Sequence, residues 1–250
     1  MATSNIKDEE RALFEEWAKR YPKGFFHDGV PSPDGYLSSK VRVVFVLREA
    51  NFGGEQKDYD FRNELHNGPH RFWKQKVAPW CYGLAESGSG EATNDLWNRR
   101  EVQNDGSRCI AYLLRFGFIQ IKKSPGKSSA KPNEILEAAR QDCALIRRQI
   151  GIYKPDIIVA CGIGHPKTFD LLFDFVFGGS IELCPNSGFK RRCAKVHEVA
   201  AGKPSTFLIE THHPSHRTER KVVFDQLISD FRAALALRQH TESKQGVTTN

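Results

Sequence analysis

No stretch of the sequence approaches the roughly 20 consecutive apolar residues of a membrane-spanning helix. The first residues are charged and polar, so we expect no secretory signal peptide. The six cysteines include no Cys-x-x-Cys pair, and scattered cysteines in a chain of 250 residues are typical of a reduced cytoplasmic protein. These absences argue against secreted and membrane-spanning classes. We expect a cytoplasmic monomer that does not bind membranes.

The composition fits a folded chain with an excess of positive charge. Hydrophobic residues make up 39% and charged residues 27%, which is enough for a core and excludes a disordered chain. Lysine and arginine together number 37 against 30 acidic residues, giving a formal net charge of +7. Such an excess favours a polyanionic partner, although it does not by itself identify one.

Apolar runs alternate with helical patterns along the chain. Runs led by β-branched residues predict buried parallel strands at 41–47, 117–121, 155–161 and 205–210. Helical spacing predicts helices at 6–20, 107–116, 133–152, 167–177 and 219–238, with a hairpin in 181–199. We therefore predict an α/β fold: a single-domain three-layer sandwich over 1–238, built on a central, mainly parallel four-stranded sheet.

Two further segments complete this prediction. Residues 48–106 are polar and aromatic with little periodicity, so we expect a long insertion at the active edge of the sheet. Its polar side chains could surround a polar group on a ligand: Gln56, Asp58, Asn63, His66, Asn67, His70 and Gln75. Residues 239–250 are expected to form a flexible tail.

Two loops at the carboxyl ends of predicted strands carry ionisable groups. Glu49 follows the first strand within LREANFGG, and His213 lies in THHPSHRTER before the last helix. Ligand-binding residues in open α/β sheets lie at this edge. Histidine can hydrogen-bond a developing anion near neutral pH. A solvated surface glutamate and a plain helix-entry loop are the alternatives.

We expect no metal and no cofactor. The neighbouring His212 and His213 are poor co-ligands because adjacent side chains of an extended chain point apart. Cys184, Cys193 and His197 do not have the spacing of a usual zinc site.

Basic residues cluster on the same edge of the predicted sheet. They are Lys122, Lys123 and Lys127 in one loop, and His216 and Arg217 in another. Together with nearby aromatic residues they are typical of a nucleic-acid site, while a solvated charged surface is the alternative.

Two motifs and the order of elements between them suggest a family. Arg48-Glu49-Ala50-Asn51-Phe52 follows the first strand, and His213-Pro214-Ser215 precedes the last helix. A strand, a basic proline-containing loop, a long helix and a Lys-Pro-strand-Gly segment lie between them. This order resembles the uracil-DNA glycosylase superfamily, nearest to its family-four branch, over about 41–238 apart from the long first loop.

The sequence departs from that branch in three ways. Arg48 and Asn51 stand where the first motif of the branch has glycine and proline. Its iron–sulfur cysteines are missing, so we predict no cluster. Ala50 holds the place of an aspartate or asparagine in other branches, so recognition of uracil is not implied.

The resemblance implies a monofunctional DNA glycosylase that flips a base out of the duplex and leaves an abasic site. His213 would donate a hydrogen bond to the departing base, and Glu49 would orient water or stabilise the sugar cation. The base pocket would contain Ala50, Asn51, Phe52 and Phe72. The DNA contacts would be Ser215, His216, Arg217, Lys122, Lys123 and Lys127, with Arg217 filling the gap left by the base.

The superfamily includes bacterial anti-phage enzymes that attack hypermodified bases. We therefore expect a bulky modified cytosine, such as glucosylated hydroxymethylcytosine in phage DNA, as the base. Uracil excision in base-excision repair is the second candidate. A non-catalytic nucleic-acid-binding protein and a nucleotide-processing enzyme are the alternatives of other classes.

Overall fold

The structure, a computed structural model, describes residues 2–51, 57–89, 92–99, 105–126, 130–185, 188–197 and 205–246. Its strands are β1 (Phe26–His27), β2 (Val43–Asn51), β3 (Tyr59–Asp60), β4 (Gly117–Gly126), β5 (Ile157–Cys161), β6 (Ile181–Leu183), β7 (Cys193–Val196) and β8 (Thr206–Thr211). Its helices are α1 (Ala2–Ala18), α2 (Pro33–Leu37), α3 (Phe61–Asn67), α4 (Ala78–Glu86), α5 (Thr93–Asn98), α6 (Gly106–Leu113), α7 (Pro132–Tyr153), α8 (Thr168–Asp170) and α9 (Arg220–Gly246). A π-helical segment, Trp73–Val77, leads into α4, and another, Leu171–Phe177, continues α8.

Six strands form the central sheet, in the order β4-β2-β5-β8-β7-β6. The four predicted strands are present and run parallel. Strands of parallel sheets are buried on both faces, which explains their continuous apolar runs. The prediction of a four-stranded sheet is wrong. The hairpin expected in 181–199 forms from β6 and β7, and β7 then pairs antiparallel with β8. The strands β6 and β7 add to the open backbone edge of β8. Pairing at such an edge produces no periodic pattern in the sequence.

Helices cover both faces of the sheet. On one face Val44, Val46 and Ile119 pack with buried residues of α1 and α7. On the other face Phe45 and Phe118 pack with buried residues of α4 and α9. The mixed α/β layering is therefore as predicted.

The described part of 48–106 is helical rather than an irregular loop. It contains α3, α4 and α5, and its aromatic residues Phe61, Trp73 and Trp80 are buried. The Trp73 ring lies 5.2 Å from that of Phe118 on β4. Our expectation was wrong because these aromatics form part of the core, where large rings replace the aliphatic periodicity that signals a helix.

The last helix also exceeds its predicted length. α9 continues to Gly246, so residues 239–246 are helical where a tail was expected. Within the described ranges, no helix combines the length and apolar character that a membrane crossing requires.

Candidate active site at the sheet edge

The carboxyl ends of β2, β5 and β8 bring three chain segments to one edge. Arg48 and Glu49 lie in the last part of β2, Gly162 and Gly164 follow β5, and His213 follows β8. Because β2 and β8 both pair with β5, their ends flank the β5 loop on opposite sides. The two motifs therefore lie on one edge, as the parallel topology predicts.

The imidazole of His213 is fixed by Ser215. Its Nδ1 accepts the backbone N–H of Ser215 at 3.2 Å and lies 2.7 Å from the Ser215 Oγ. Because Nδ1 accepts from the backbone, a neutral ring carries its proton on Nε2. In the described part of the chain Nε2 has no hydrogen-bond partner, so its N–H is left for a ligand.

Burial keeps His213 uncharged at neutral pH. Desolvation, followed by the positive charge of Arg48 and then by His216, lowers the pKa of His213 to about 4. The ring of Phe72 stacks on that of His213 with centroids 6.3 Å apart. The structure thus places Phe72, one of the predicted base-pocket residues, directly beside the predicted hydrogen-bond donor.

Arg48 is a site residue that the sequence analysis treated only as a departure from a motif. Its guanidinium donates to the carbonyl of Gly164 and packs on the backbone of Gly162. A Cβ on Gly162 would meet Arg48 Nε at 3.0 Å, so this glycine makes room for the arginine. Burial lowers the pKa of Arg48, whose Nε has no partner within the described chain. The arginine at the glycine position of the motif was the signal that could have identified it.

Glu49 contacts β4, the strand on the other side of β2 from β5. It pairs in register with Lys122 of β4, and Lys122 Nζ lies 2.9 Å from Glu49 Oε2. Lys122 also contacts Glu134 of α7 at 2.7 Å. The Glu49 side chain is only 6% exposed and packs against Gly126, where any Cβ would meet its carboxylate. Glu49 and His213 therefore share the sheet edge but have different contacts.

A cleft opens next to His213, between α4 and the loop before α9. Its floor is apolar and consists of Pro79, Trp80, Trp97, Pro214 and Val223. Its polar lining, which we call the rim, includes the cations Lys76 and Arg220 and the imidazoles of His213 and His216. Two aromatic side chains of the 48–106 insertion, Trp80 and Trp97, thus line this cleft.

His212 does not line this cleft, although its ring centroid lies 4.6 Å from that of His216, which does. His212 is buried, and Arg191 Nη2 lies 2.6 Å from its Nε2. Burial, Arg191 and His216 together lower the pKa of His212 to about 4. His212 therefore contacts Arg191, while His213 lines the cleft.

Lys123 is a correction to the predicted DNA contacts. Its side chain is fully buried, with Nζ 2.5 Å from Asp28 and 2.9 Å from Gln149. It cannot reach a phosphate, so this prediction is wrong. The physical reason is an ion pair to a residue 95 positions earlier in the chain, which no local pattern reveals. Lys122 is mostly covered as well, and its charge is compensated by Glu49 and Glu134.

The other residues predicted to contact DNA or the base differ in exposure. Ser215, His216 and Arg217 are exposed on the loop after β8. Ala50 is partly buried against the core, and Asn51 is exposed opposite Gly126 of β4. Phe52 and Lys127 lie outside the described residues.

Two of the polar side chains expected around an appended group hold the fold instead. Asp58 accepts the backbone N–H of Phe25, and His66 binds the carbonyl of Pro31. Gln75 alone of those described lines the cleft.

The cysteines do not fit the iron–sulfur cluster of the resembled branch. All six are described, and no group of three or more Cys, His, Asp or Glu side chains in the described chain is arranged to hold a metal. Cys184 and Cys193 lie with their sulfurs 3.3 Å apart, while His197 instead faces Glu182.

Comparisons with known proteins leave the family open. No model of a known protein family matches the chain, and a search of curated proteins finds no significant relative. The function must therefore be inferred from the residues at the sheet edge.

Proposed function

We propose that the protein is a monofunctional DNA glycosylase, a hydrolase that flips a modified base from DNA and cleaves its N-glycosidic bond. The observation that carries this proposal is His213. It is a neutral imidazole whose Nδ1 is held by Ser215 and whose Nε2–H faces outward beside an aromatic cleft.

Such a donor suits the departure of a base. When the bond between C1′ and the base nitrogen breaks, its electron pair stays on the base and positive charge develops on the sugar. A neutral imidazole whose proton is on Nε2 can hydrogen-bond the new anion through that N–H. A donor aimed at charge that exists mainly in the transition state contributes about 10²- to 10³-fold in rate.

Arg48 supports this role of His213. Burial lowers the pKa of His213 most, and the positive charge of Arg48 lowers it further, so the ring stays neutral over the physiological pH range. The arginine is held by Gly164 and buried in part, so its charge is fixed in place.

Glu49 supplies negative charge at the same edge. We propose that it stabilises the sugar cation or orients the attacking water, whose oxygen forms the new bond to C1′. Lys122 holds the carboxylate by its 2.9 Å contact, so Glu49 acts from within an ion pair. No lysine nucleophile is invoked, and the product is an intact strand with an abasic site.

The exposed loop after β8 provides the DNA contacts. Arg217 extends from this loop and is our candidate to fill the gap that the flipped base leaves, and Ser215 and His216 would contact the backbone. Extrusion costs a few kcal/mol, which such contacts offset.

For the base, we propose a bulky modified cytosine such as glucosylated hydroxymethylcytosine in phage DNA. Ala50 offers no polar side chain at the motif position where other branches have aspartate or asparagine. Plain uracil is the second candidate. A non-catalytic DNA-binding role is favoured by one observation, the nearly covered Glu49 carboxylate.

Abasic-site formation separates these candidates. Protein is incubated with phage DNA that carries glucosylated cytosines, with the same DNA lacking the sugar, and with a uracil duplex. We expect strand breaks after alkali treatment of the glucosylated DNA alone. Breaks only in the uracil duplex would replace the proposed substrate, and binding without breaks in any DNA would favour the non-catalytic role.

A further inference from the structure

The cleft beside His213 has a composition that the excision step does not require. Its floor presents two indole rings, from Trp80 and Trp97, framed by prolines and a valine. Its rim is basic, and no aspartate or glutamate is among its lining residues in the described part of the chain. Such a cleft suits a ligand that has a flat apolar face and a negative charge.

Two cations on the rim lack a counter-ion. Lys76 comes from the π-helical segment before α4, and Arg220 begins α9. Neither side chain makes an ion pair or a hydrogen bond within the described ranges, whereas the side chain of the neighbouring Lys221 lies 2.5 Å from Asp225. Burial and the charge of Arg220 lower the pKa of Lys76, which shows that the two cations influence each other. A bound anion would relieve this repulsion.

His216 adds a hydrogen-bond donor to the same rim. Its Nδ1 accepts the backbone N–H of Thr218 at 3.1 Å and lies 2.7 Å from the Thr218 hydroxyl. This repeats the arrangement of His213 with Ser215, and it likewise leaves the proton on Nε2. The spacing His-x-Ser/Thr thus occurs twice in six residues and places two imidazole donors on one cleft.

We propose that this cleft binds one nucleotide of a single DNA strand, with its phosphate between Lys76 and Arg220 and its base against Trp97. Aromatic faces with cationic neighbours bind single-stranded nucleic acid without needing a particular base. We assign this nucleotide to the position next to the excised one. That assignment rests on the proposed glycosylase function. Nucleotide binding in the cleft does not depend on that function.

The test measures binding of a fluorescent eight-residue oligothymidylate over a series of salt concentrations. The double variant Lys76→Gln/Arg220→Gln should bind at least tenfold more weakly, with a salt slope reduced by about one. The matched control, Lys74→Gln/Lys221→Gln, removes the same charge from the same two segments and should bind within twofold of the unchanged protein. Thermal unfolding of each variant verifies that it is folded.

Trp97→Ala and four competitors test the base and the phosphate separately. Trp97→Ala should weaken binding severalfold, and the dinucleotide pTpT should compete better than thymidine, inorganic phosphate or methyl glucoside. Equal losses of binding in the two double variants would mean that the protein attracts the oligonucleotide only through its general positive charge. That result would overturn the proposal. Equal or better competition by thymidine or the glucoside, or unchanged binding by Trp97→Ala, would also overturn it.

A final arm distinguishes this proposal from the glycosylase proposal. Release of free base from glucosylated and from uracil-containing DNA is measured on the same preparations that are used for the binding series. Binding that follows the pattern above, together with no base release from any DNA, would leave the cleft assignment standing and refute the glycosylase. Base release together with equal losses in the two double variants would refute the cleft assignment alone.

Discussion

His213 and Ser215 are joined twice, through a 3.2 Å bond from the Ser215 backbone N–H to Nδ1 and a 2.7 Å contact between Nδ1 and the Ser215 hydroxyl. The backbone bond survives loss of the hydroxyl. The orientation of the ring therefore depends mainly on the turn and less on the serine side chain.

His213→Ala should reduce base release by about 10²- to 10³-fold while the fold is kept, because the donor to the leaving base is lost. Ser215→Ala is the matched control and should lose tenfold or less, since its backbone N–H still holds the ring. Single-turnover rates on the best substrate measure both variants. Turnover close to normal in His213→Ala would remove this residue from the mechanism.

Because His212 is buried, the folding stability of the protein should depend on pH. The pKa of His212 is about 4 in the folded chain, against 6.5 for an ordinary histidine, with Arg191, His216 and Glu210 as its charged neighbours. Between these values the unfolded chain binds the extra proton, so folding stability falls as the pH falls from about 6.5 towards 4.

His212→Asn removes this titration and should reduce the loss of unfolding free energy between pH 7.5 and pH 5 by about 2 kcal/mol. His240→Asn, at an exposed site near the end of α9, serves as the control and should follow the unchanged protein. Urea unfolding at the two pH values gives the comparison. Identical pH dependence in all three proteins would mean that His212 titrates normally in the folded state.

Arg217→Ala should weaken base release from duplex DNA at least tenfold more than from single strands, because only a duplex has a gap to fill. Rates on the same modified sequence in both forms measure the effect. Equal losses on both forms would exclude an insertion role.

Lys123 should be essential for stability and not for DNA binding. Lys123→Met leaves the buried Asp28 without its counter-charge and should cost about 3–5 kcal/mol of unfolding free energy. Lys131→Met, in an exposed pair with Glu134, is the control and should cost much less. Chemical unfolding measures both, and a loss below 1 kcal/mol in Lys123→Met would contradict the buried pair.

The sequence was informative where structure is local. Apolar runs identified β2, β4, β5 and β8, and their parallel pairing follows from burial on both faces. The same topology brought His213 and Glu49 to one edge, so part of the candidate site could be predicted.

Pairings between distant segments could not be predicted. The contact of Lys123 with Asp28 and the addition of β7 to the edge of β8 depend on the folded arrangement. The helices of 48–106 were missed for a related reason, since their buried Phe61 and Trp73 pack against the sheet without a regular period.

Release of a free base is the most direct test of the central claim. Phage DNA that contains glucosylated cytosines is incubated with the protein or with His213→Ala, and small molecules are analysed by mass spectrometry. The account predicts one released modified base for each abasic site formed, with about 10²- to 10³-fold less in His213→Ala. Release of a nucleoside or nucleotide in place of a free base, or equal release by both proteins, would contradict it.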